Sequence, residues 1–454
     1  MTQAAQAKKL YIKSYGCQMN TYDARRMEDI LRPMGYTSVA TPDTADMVIL
    51  NTCHIREKAT DKVFSDLGRI REHKLEQEKN GHQMIVAVAG CVAQAEGDVI
   101  LKRAKYVDMV FGPQTYHQLP EMLAKVTGAY GSARIINTDF PVEEKFDFLP
   151  QENAVTGATA FLSIQEGCDK FCTFCVVPYT RGSEYSRNAA SIIAEAKRLA
   201  ANGARDITLL GQNVNGFHGE GLDGKTWGLG RLIRELADIE DVKRIRYTTS
   251  HPCDVQDDLI EAHRDVPKLM PYLHLPVQSG SNKILKAMNR KHEIETYLET
   301  IEKFKSVQPD IALSSDFIIG FPGETDDDFE ATYDLVKKIG FTAAFSFKYS
   351  ARPGTPAANM QNLVREDVKD ARLQRLQSLL FEQALNYNQS FIGKTVEVLF
   401  DGRQSREGQL HGRTRYNTAI HAVANDRLYG QVMDVIVESA GQMALHGRVK
   451  TEGN

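Results

Sequence analysis

Three cysteines within eight residues constrain this chain more than any other feature of its sequence. Cys168, Cys172 and Cys175 form a Cys-x3-Cys-x2-Cys pattern, and only four other cysteines occur among the 454 residues. So sparse and uneven a set does not resemble the disulfide framework of a small secreted protein. Three thiolates leave one position of a four-ligand site open, which favours a reactive iron–sulfur cluster over a closed structural zinc site. A zinc site completed by a distant His or Cys is the alternative.

The cysteine pattern follows the first of six strand-like segments that alternate with helical patterns. The strands are predicted at 159–165, 206–211, 244–250, 272–278, 311–320 and 343–350. Helices are predicted at 191–203, 325–340 and 364–390. Six βα units are too few for a closed eight-unit barrel, so a partial (β/α)6 barrel is expected. Active sites of such barrels lie on the loops after the strands, where the three cysteines are found.

A second group of cysteines precedes the barrel. Cys17, Cys53 and Cys91 follow predicted strands at 10–16, 47–52 and 84–90, and a fourth strand is predicted at 106–112. Helical patterns between these strands predict a doubly wound parallel sheet. Because parallel strands end at one edge of the sheet, the three thiols are expected to converge on a shared ligand. The alternative is that each is a small buried apolar residue.

The remaining segments differ in character. Residues 113–157 show little periodic pattern, and the segment PVEEKFDFLPQENAVTGA (141–158) is predicted to form a linker. From residue 391 onwards, short strand patterns separated by Gly-containing turns predict a small antiparallel β-barrel. The expected fold is therefore α/β, with domains at 8–120, 154–385 and 388–450.

Composition excludes several classes of protein. The formal net charge is only −4, so a histone-like protein that holds nucleic acid by bulk charge is excluded. Hydrophobic residues make up 42% of the chain and charged residues 25%, as in soluble proteins with full-sized cores. No apolar run in the sequence is long enough to predict a membrane span. The N-terminus lacks the apolar region of a signal peptide. A cytoplasmic location without membrane association is expected.

The three-part layout resembles the methylthiotransferase branch of the radical S-adenosylmethionine (SAM) superfamily. The central motif, with Phe174 before its last cysteine, resembles that superfamily, and the C-terminal barrel resembles the RNA-binding TRAM domain of the branch. The segments SYGCQMN (14–20), NTCHIREKA (51–59) and GCVAQ (90–94) match the branch's three cysteine segments in order. The resemblance implies two [4Fe–4S] clusters. The cluster on the central motif would bind SAM and split it into methionine and a 5′-deoxyadenosyl radical, and the N-terminal cluster would carry sulfur that a second SAM methylates.

The substrate is also implied by the resemblance. NTC followed by IRE-KA is most similar to members that convert N6-(dimethylallyl)adenosine (i6A), 3′ of the tRNA anticodon, to its 2-methylthio derivative (ms2i6A). A radical route is expected because His or Glu cannot usefully deprotonate an unactivated aryl C–H. The implied partners are the tRNA anticodon loop, a low-potential electron donor and a sulfur or iron–sulfur supply system. Alternatives are a threonylcarbamoyl-adenosine tRNA or a ribosomal-protein substrate, or a non-catalytic RNA-binding module stabilised by zinc.

Further candidate contacts lie on loops after the barrel strands. Besides Phe174, the predicted SAM contacts are Gly211, Gln212, Asn213, Gln278, Ser279 and Gly320, with ordinary polar loops as the alternative. The predicted RNA contacts in the C-terminal barrel are Lys394, Arg413, Arg415 and Tyr416. Cys253 has no partner cysteine nearby in sequence and is expected to be a plain thiol.

Overall fold

The computed structural model divides the chain into two compact units. It describes residues 7–54, 59–128, 133–141, 145–148, 150, 157–403 and 408–450. The first unit comprises Met1–Ala154 with Val176–Glu184, and the second comprises Val155–Cys175 with Tyr185–Asn454. Among the described residues, no helix has both the length and the apolar character needed to cross a membrane.

A six-stranded parallel sheet forms the first unit. Its strands are β1 (Lys8–Ser14), β2 (Tyr36–Ser38), β3 (Met47–Thr52), β4 (Ile85–Gly90), β5 (Met109–Phe111) and β6 (Ile135–Asn137), in the order β2-β1-β3-β4-β5-β6. Its helices are α1 (Gln18–Leu31), α2 (Ala59–Lys79), α3 (Cys91–Arg103) and α4 (Leu119–Thr127). Separate apolar cores form on the two faces, one under α1 and α4 and the other under α2 and α3. The predicted doubly wound parallel sheet is confirmed.

The stretch with little periodic pattern carries regular structure ahead of the predicted linker. Both α4 and β6 lie within 113–157, and β6 pairs in parallel with β5. Strands β2 and β6 have three residues each, which is too short for a periodic pattern to stand out. Residues 129–132, 142–144, 149 and 151–156 of this segment, and 55–58 of the NTCHIREKA motif, lie outside the described residues.

Six parallel strands of the second unit form the predicted partial barrel. They are β7 (Thr159–Ser163), β10 (Asp206–Leu210), β13 (Arg244–Tyr247), β14 (Tyr272–His274), β15 (Ala312–Ile319) and β16 (Ala343–Lys348). The segments that connect them contain four two-residue strands: β8 (Gln165–Glu166), β9 (Tyr185–Ser186), β11 (Gly219–Glu220) and β12 (Thr226–Trp227). The sheets β13-β10-β7 and β14-β15-β16 meet at Ile245, whose N–H donates to Lys268 O at 2.7 Å. Strands β7 and β16 are therefore the two ends of an open barrel.

Helices follow most barrel strands and cover the outside of the sheet. They are α6 (Ala189–Ala201), α7 (Leu229–Ala237), α8 (Asp257–Asp265), α9 (Asn282–Ala287), α10 (Ile294–Val307), α11 (Asp326–Ile339) and α12 (Glu366–Gln389). The short helix α5 (Val177–Arg181) is part of the first unit. Strand residues such as Leu209 and Leu313 pack into the core beneath these helices. Because side chains alternate along a strand, neighbours such as Asp206 and Asp316 face the barrel interior.

A closed five-stranded barrel ends the chain. Its strands are β17 (Thr395–Arg403), β18 (Gln409–Thr414), β19 (Ala419–Val423), β20 (Val432–Ala440) and β21 (Ala444–Val449), in the order β17-β18-β19-β21-β20. The predicted small β-barrel is confirmed, although one pair, β19 with β21, runs parallel. Its core is built from inward-facing residues of all five strands.

Two buried arginines fasten this small barrel to the amino-terminal end of the larger one. Arg246 pairs with Asp206 at 2.9 Å and donates to the main-chain carbonyls of Arg415 and Thr414, both at 2.9 Å. Arg244 donates in the same way to the carbonyl of Arg413 at 2.6 Å. The turn after β18 therefore caps the floor of the larger barrel.

The same turn contains Tyr416, one of the predicted RNA contacts. Its hydroxyl donates to Asp310 Oδ2 at 2.5 Å, just ahead of β15. Its ring lies 5.6 Å from that of Phe391. Tyr416 thus connects the two barrels, and its role in binding RNA stays a prediction.

Candidate functional site

Cys17, Cys53 and Cys91 come together at the carboxyl edge of the N-terminal sheet. Cys53 and Cys91 directly follow β3 and β4, and Cys17 lies three residues beyond the end of β1, as expected for parallel strands that end at one edge. The Cys17 and Cys53 thiols are within hydrogen-bonding contact, and Cys91 is close enough for the charge on Cys17 to affect its pKa. Cys53 is 2% exposed and Cys91 9%, whereas Cys17 is partly exposed at the edge of the group.

The chain approaches Cys53 so closely at Gly16 that no side chain fits there. Gly16 has φ +95°, and an added Cβ would lie 2.4 Å from Cys53 Cβ and 2.6 Å from its Sγ. Gly90 has φ +89°, and an added Cβ there would lie 2.4 Å from Thr52 O. Glycine before Cys17 and before Cys91 therefore lets two strand ends turn sharply and deliver their thiols to one place.

Arg181 supplies the positive charge at this site. Its Nη2 lies 2.7 Å from Asp23 Oδ2 and 3.4 Å from Asn20 Oδ1, and the Cys17 thiol donates to the same Asn20 oxygen at 3.3 Å. The Arg181 and Asp23 side chains are only 3% and 2% exposed. A single α1–α5 network of charged and amide groups thus surrounds the first cysteine.

The thiols respond differently to this setting. The hydrogen bond with Cys53, assisted by the Arg181 charge and opposed by burial, lowers the pKa of Cys17 to about 6. Burial raises the pKa of Cys91, and Arg181 partly counteracts it. Metals bind the thiolate, so a thiol with a lowered pKa is prepared for ligation at neutral pH. Three thiols, a cradle that excludes a Cβ and a buried cation fit an iron–sulfur cluster.

The sequence predicts the three cysteines but gives no indication of Arg181. The residue comes six positions after Cys175 in sequence, yet its helix, α5, packs within the first unit. The only sequence signal is its place in the VPYTRG segment that follows the central motif. Nothing in that segment points to a partner 158 residues away.

Cys168, Cys172 and Cys175 lie in the loop beyond β7, at the carboxyl ends of the barrel strands. A tight turn brings Cys175 N within 2.9 Å of Cys172 O. The loop is anchored because Thr173 N donates to Met288 O at 3.0 Å and Asn289 Nδ2 donates to Phe171 O at 2.9 Å. Phe171 takes φ +48°, an uncommon left-handed conformation for an aromatic residue.

Arg290 contacts the central cysteine of this loop. Its Nη1 lies 3.6 Å from Cys172 Sγ, and its Nη2 donates to Pro276 O at 2.5 Å. Cys172 is 8% exposed and Arg290 likewise 8%. Arg290 therefore places a buried guanidinium beside one of the three sulfurs that would ligate a cluster.

Two buried histidines adjoin Arg290. His251 and His292 are 5% and 7% exposed, and their rings lie 5.9 Å apart. Burial, reinforced by Arg290, lowers their pKa values to about 2 and about 3, so both are neutral near pH 7. Within the part of the chain that the structure describes, His251 Nε2 and both nitrogens of His292 have no hydrogen-bond partner. These polar atoms beside Arg290 and the cysteine loop fit a bound polar group.

The predicted SAM contacts after β10 brace the cysteine loop. Gln165 Oε1 accepts from the N–H groups of Gln212 at 2.8 Å and Asn213 at 3.0 Å, and Gln212 Oε1 accepts from Gly167 N at 2.7 Å. An added Cβ at Gly211 would lie 2.5 Å from Gln165 Oε1. These residues therefore fix the chain immediately ahead of Cys168.

The other predicted SAM contacts occupy the ends of β14 and β15. Gln278 has φ +76°, and Ser279 Oγ accepts from Ser281 N at 3.2 Å. Gly320 N donates to Glu324 Oε1 at 2.9 Å. Phe174 packs on an apolar cluster that contains Met288. All lie at the same end of the barrel as the cysteines, and their role in binding SAM stays a prediction.

Cys253 is separate in character. It is an exposed thiol whose pKa is raised, first by partial burial and then by the charge of Asp254. Its N–H donates to His251 Nδ1 at 3.3 Å. Neither feature makes it a ligand.

Models of three families match successive parts of the chain. Residues 9–112 match the uncharacterized protein family UPF0004, residues 162–336 the radical SAM superfamily and residues 389–450 the TRAM domain. The matched regions contain the N-terminal cysteines, the central cysteine motif and the closed β-barrel, respectively. All three parts of the expected layout are thus recognised independently.

Comparison with whole proteins gives the family. Two solved structures share the fold. The radical SAM methyltransferase TsrM from Kitasatospora setae matches with a TM-score of 0.56 and 13% identity, over 78% of this chain and 74% of that chain. The cobalamin-dependent radical enzyme OxsB matches with a TM-score of 0.54 and 14% identity, over 83% of this chain and 56% of that chain. The tRNA-2-methylthio-N(6)-dimethylallyladenosine synthase of Maricaulis maris (strain MCS10) is 56% identical over 444 residues, 97% of each protein. Identity at that level over nearly the whole length shows that the chain belongs to the tRNA-2-methylthio-N(6)-dimethylallyladenosine synthase family of radical SAM enzymes.

Proposed function

We propose that the chain is a methylthiotransferase that converts i6A, 3′ of the anticodon in tRNA, to ms2i6A. The observation that carries this proposal is 56% identity over 97% of the chain to a synthase named for that product. The six cysteines support it, because they form two separate groups, each beside a buried arginine. A non-catalytic zinc module would not require two open three-thiol sites.

The central motif is proposed to hold the cluster that works with SAM. Cys168, Cys172 and Cys175 would ligate three irons of a [4Fe–4S] cluster, and the fourth iron would be left for SAM. With an electron supplied, that pair of cofactors provides the radical that removes hydrogen from the substrate. Arg290 holds the Cys172 sulfur in place, and Gln165 fixes the loop ahead of Cys168.

The N-terminal cysteines are proposed to hold a second cluster, which supplies sulfur. Cys17, Cys53 and Cys91 would be its ligands, with the Arg181–Asp23 pair beside them. The overall change replaces adenine C2–H by C2–S–CH3. The hydrogen would leave in 5′-deoxyadenosine, the methyl group would come from a second SAM, and the sulfur would be carried by the N-terminal cluster, which a sulfur or iron–sulfur supply system replenishes.

The partners follow from this chemistry. The substrate is the anticodon loop of a tRNA, where the target base is unpaired and is cheap to extrude from its stack. Selection by loop shape agrees with a net charge of −4, which gives no general attraction for RNA. A low-potential electron donor and a cytoplasmic location complete the proposal.

One anaerobic experiment tests the proposal. Iron-reconstituted protein is incubated with reductant, SAM and tRNA that carries i6A, and the digested nucleosides are analysed by mass spectrometry. Formation of ms2i6A supports the proposal. If 5′-deoxyadenosine forms without ms2i6A, the tRNA substrate is wrong and threonylcarbamoyl-adenosine tRNA or a ribosomal protein is tested next. If neither forms, the radical proposal itself fails.

Three cysteine variants assign the roles of the two groups. Cys172→Ala is expected to abolish cleavage of SAM, whereas Cys53→Ala should still cleave SAM but transfer no sulfur. The exposed Cys253 provides the matched control, and Cys253→Ala should behave as wild type. Methylthiolated product from the Cys53 variant would contradict the assignment of the N-terminal cluster.

A further inference from the structure

The interior wall of strand β16 carries two large aromatic residues that are not buried. Phe345 is 57% exposed and Phe347 49%, in an edge strand of the open barrel. Phe345 lies opposite Asp316 and Phe347 opposite Ile318 in the register with β15. Alternate residues of β15, such as Phe317, pack beneath the helices. The two phenylalanines therefore share the interior face of the sheet with Asp316 and Ile318.

This exposure is unusual for the inside of a barrel. Interiors of βα barrels are normally filled by layers of interlocking side chains. Leaving two phenylalanine rings half exposed forgoes the free energy that burial of apolar surface would provide. Exposed apolar surface in a concave site is a common feature of ligand-binding surfaces.

The aromatic wall lies between the barrel floor and the cysteine loop. At the floor, Arg246 and Asp206 form a buried ion pair capped by the turn of the small barrel. At the other end, Ile318 packs on the same apolar cluster as Phe174, which immediately precedes Cys175. Both phenylalanines belong to the strand beside Ile318, so the wall is continuous with the surroundings of the central motif.

A polar group lies next to the aromatic wall. The rings of His274 and Phe345 are 6.4 Å apart in an edge-to-face arrangement. His274 Nε2 lies 3.6 Å from Asp316 Oδ2, and its Nδ1 lies 3.0 Å from Ser314 Oγ. The Asp316 side chain is 30% exposed, so a carboxylate remains accessible beside the two rings.

We propose that Phe345 and Phe347 form the surface that receives the dimethylallyl-bearing adenine and so selects i6A, an inference that rests on the proposed function. An adenine ring stacks on aromatic faces, and a branched five-carbon chain packs on them without needing hydrogen bonds. A base that carries a charged carboxylate, such as threonylcarbamoyl-adenosine, would meet both apolar rings and the Asp316 carboxylate. The wall therefore attracts one modification and disfavours the other.

Substitution of the rings tests the proposal. Phe345→Ala and Phe347→Ala are assayed with two tRNAs that differ only in whether the target adenosine carries the dimethylallyl group. Loss of apolar contacts of this size is worth about 10- to 100-fold in discrimination. The ratio of kcat/KM for the two tRNAs should therefore fall by that factor, mainly through KM for the i6A tRNA. Phe381→Ala is the matched control, because Phe381 is 48% exposed on α12.

The outcomes separate this proposal from the one on which it depends. Wild-type discrimination in both alanine variants overturns the aromatic wall while leaving the proposed function intact. Failure of the wild-type protein to make ms2i6A overturns the proposed function, and the proposal that Phe345 and Phe347 select i6A then fails as well. Phe345→Leu and Phe347→Leu keep most of the apolar bulk and guard against misfolding, which the fluorescence of Trp227 reports. These leucine variants should retain more discrimination than the alanine variants.

Discussion

Replacement of Arg181 by methionine is expected to loosen the N-terminal unit, because it leaves a buried carboxylate without its cation. Arg181 Nη2 lies 2.7 Å from Asp23 Oδ2, and the two side chains are 3% and 2% exposed. Removal of one partner from so buried an ion pair typically costs about 3–5 kcal/mol. Asp23→Asn in the same protein removes the second charge, so the double variant should recover most of the loss.

Hydrogen exchange of backbone amides is the suitable assay. The single tryptophan, Trp227, lies in the second unit and cannot report on the first. Some amides exchange only when this unit opens, so their exchange rate depends on its free energy of unfolding. If that free energy falls by about 3–5 kcal/mol, these amides should exchange faster by roughly two to three and a half orders of magnitude. Peptides that cover β3 and β4 should show the acceleration. Peptides from the C-terminal barrel serve as the internal control.

Two results would refute the reasoning. If the Arg181→Met variant exchanged at nearly the wild-type rate, the carboxylate of Asp23 would have found another source of solvation. If the double variant exchanged as fast as the single one, lost packing of the arginine stem would be the cause rather than an unpaired charge.

Three further changes test other parts of the structure. Gly16→Ala should lower the iron content of the reconstituted protein by about half, because the added Cβ would overlap Cys53. Gly81→Ala is the control, because Gly81 also has positive φ but has open space around it, and this variant should keep all of its iron. The iron content of each purified variant is the measurement. Arg290→Met removes the cation that contacts the Cys172 sulfur. The midpoint potential of the central cluster, measured by EPR titration, should therefore fall. An unchanged potential would contradict this expectation. Burial lowers the pKa of His263 to about 3, so between pH 6.5 and pH 3 the unfolded chain binds a proton that the folded chain does not. The free energy of unfolding should then fall by about 1.4 kcal/mol for each pH unit below 6.5 because of this residue. The urea midpoint, measured by Trp227 fluorescence, should therefore be lower at pH 5 than at pH 7.5. The difference between the two midpoints should be smaller in a His263→Gln variant.

The parts of the structure that sequence predicts well depend on local pattern. Strands β3 and β4 are buried on both faces and therefore appear as unbroken apolar runs. Once the parallel sheet is inferred, the convergence of Cys17, Cys53 and Cys91 needs only the rule that parallel strands end at one edge. The barrel follows from the same reasoning, since its six strands recur with helices between most of them.

The parts that sequence misses depend on contacts between distant residues. Arg181 and Asp23 are 158 positions apart, and Arg290 and Cys172 are 118 apart. The docking of the C-terminal barrel depends on arginines that donate to main-chain carbonyls, and a carbonyl acceptor can belong to any residue. No spacing within a single segment could reveal such pairs.

These distant contacts give the two cysteine groups different electrostatic settings. Beside Cys17, the charge of Arg181 is balanced by Asp23. Beside Cys172, Arg290 makes no ion pair with any carboxylate of the described residues, and the neighbouring His251 and His292 are neutral. An unbalanced buried cation stabilises a cluster after it gains an electron, whereas a balanced pair does so far less. The surrounding charges would therefore favour electron uptake at the site proposed to cleave SAM, although each site offers three thiols.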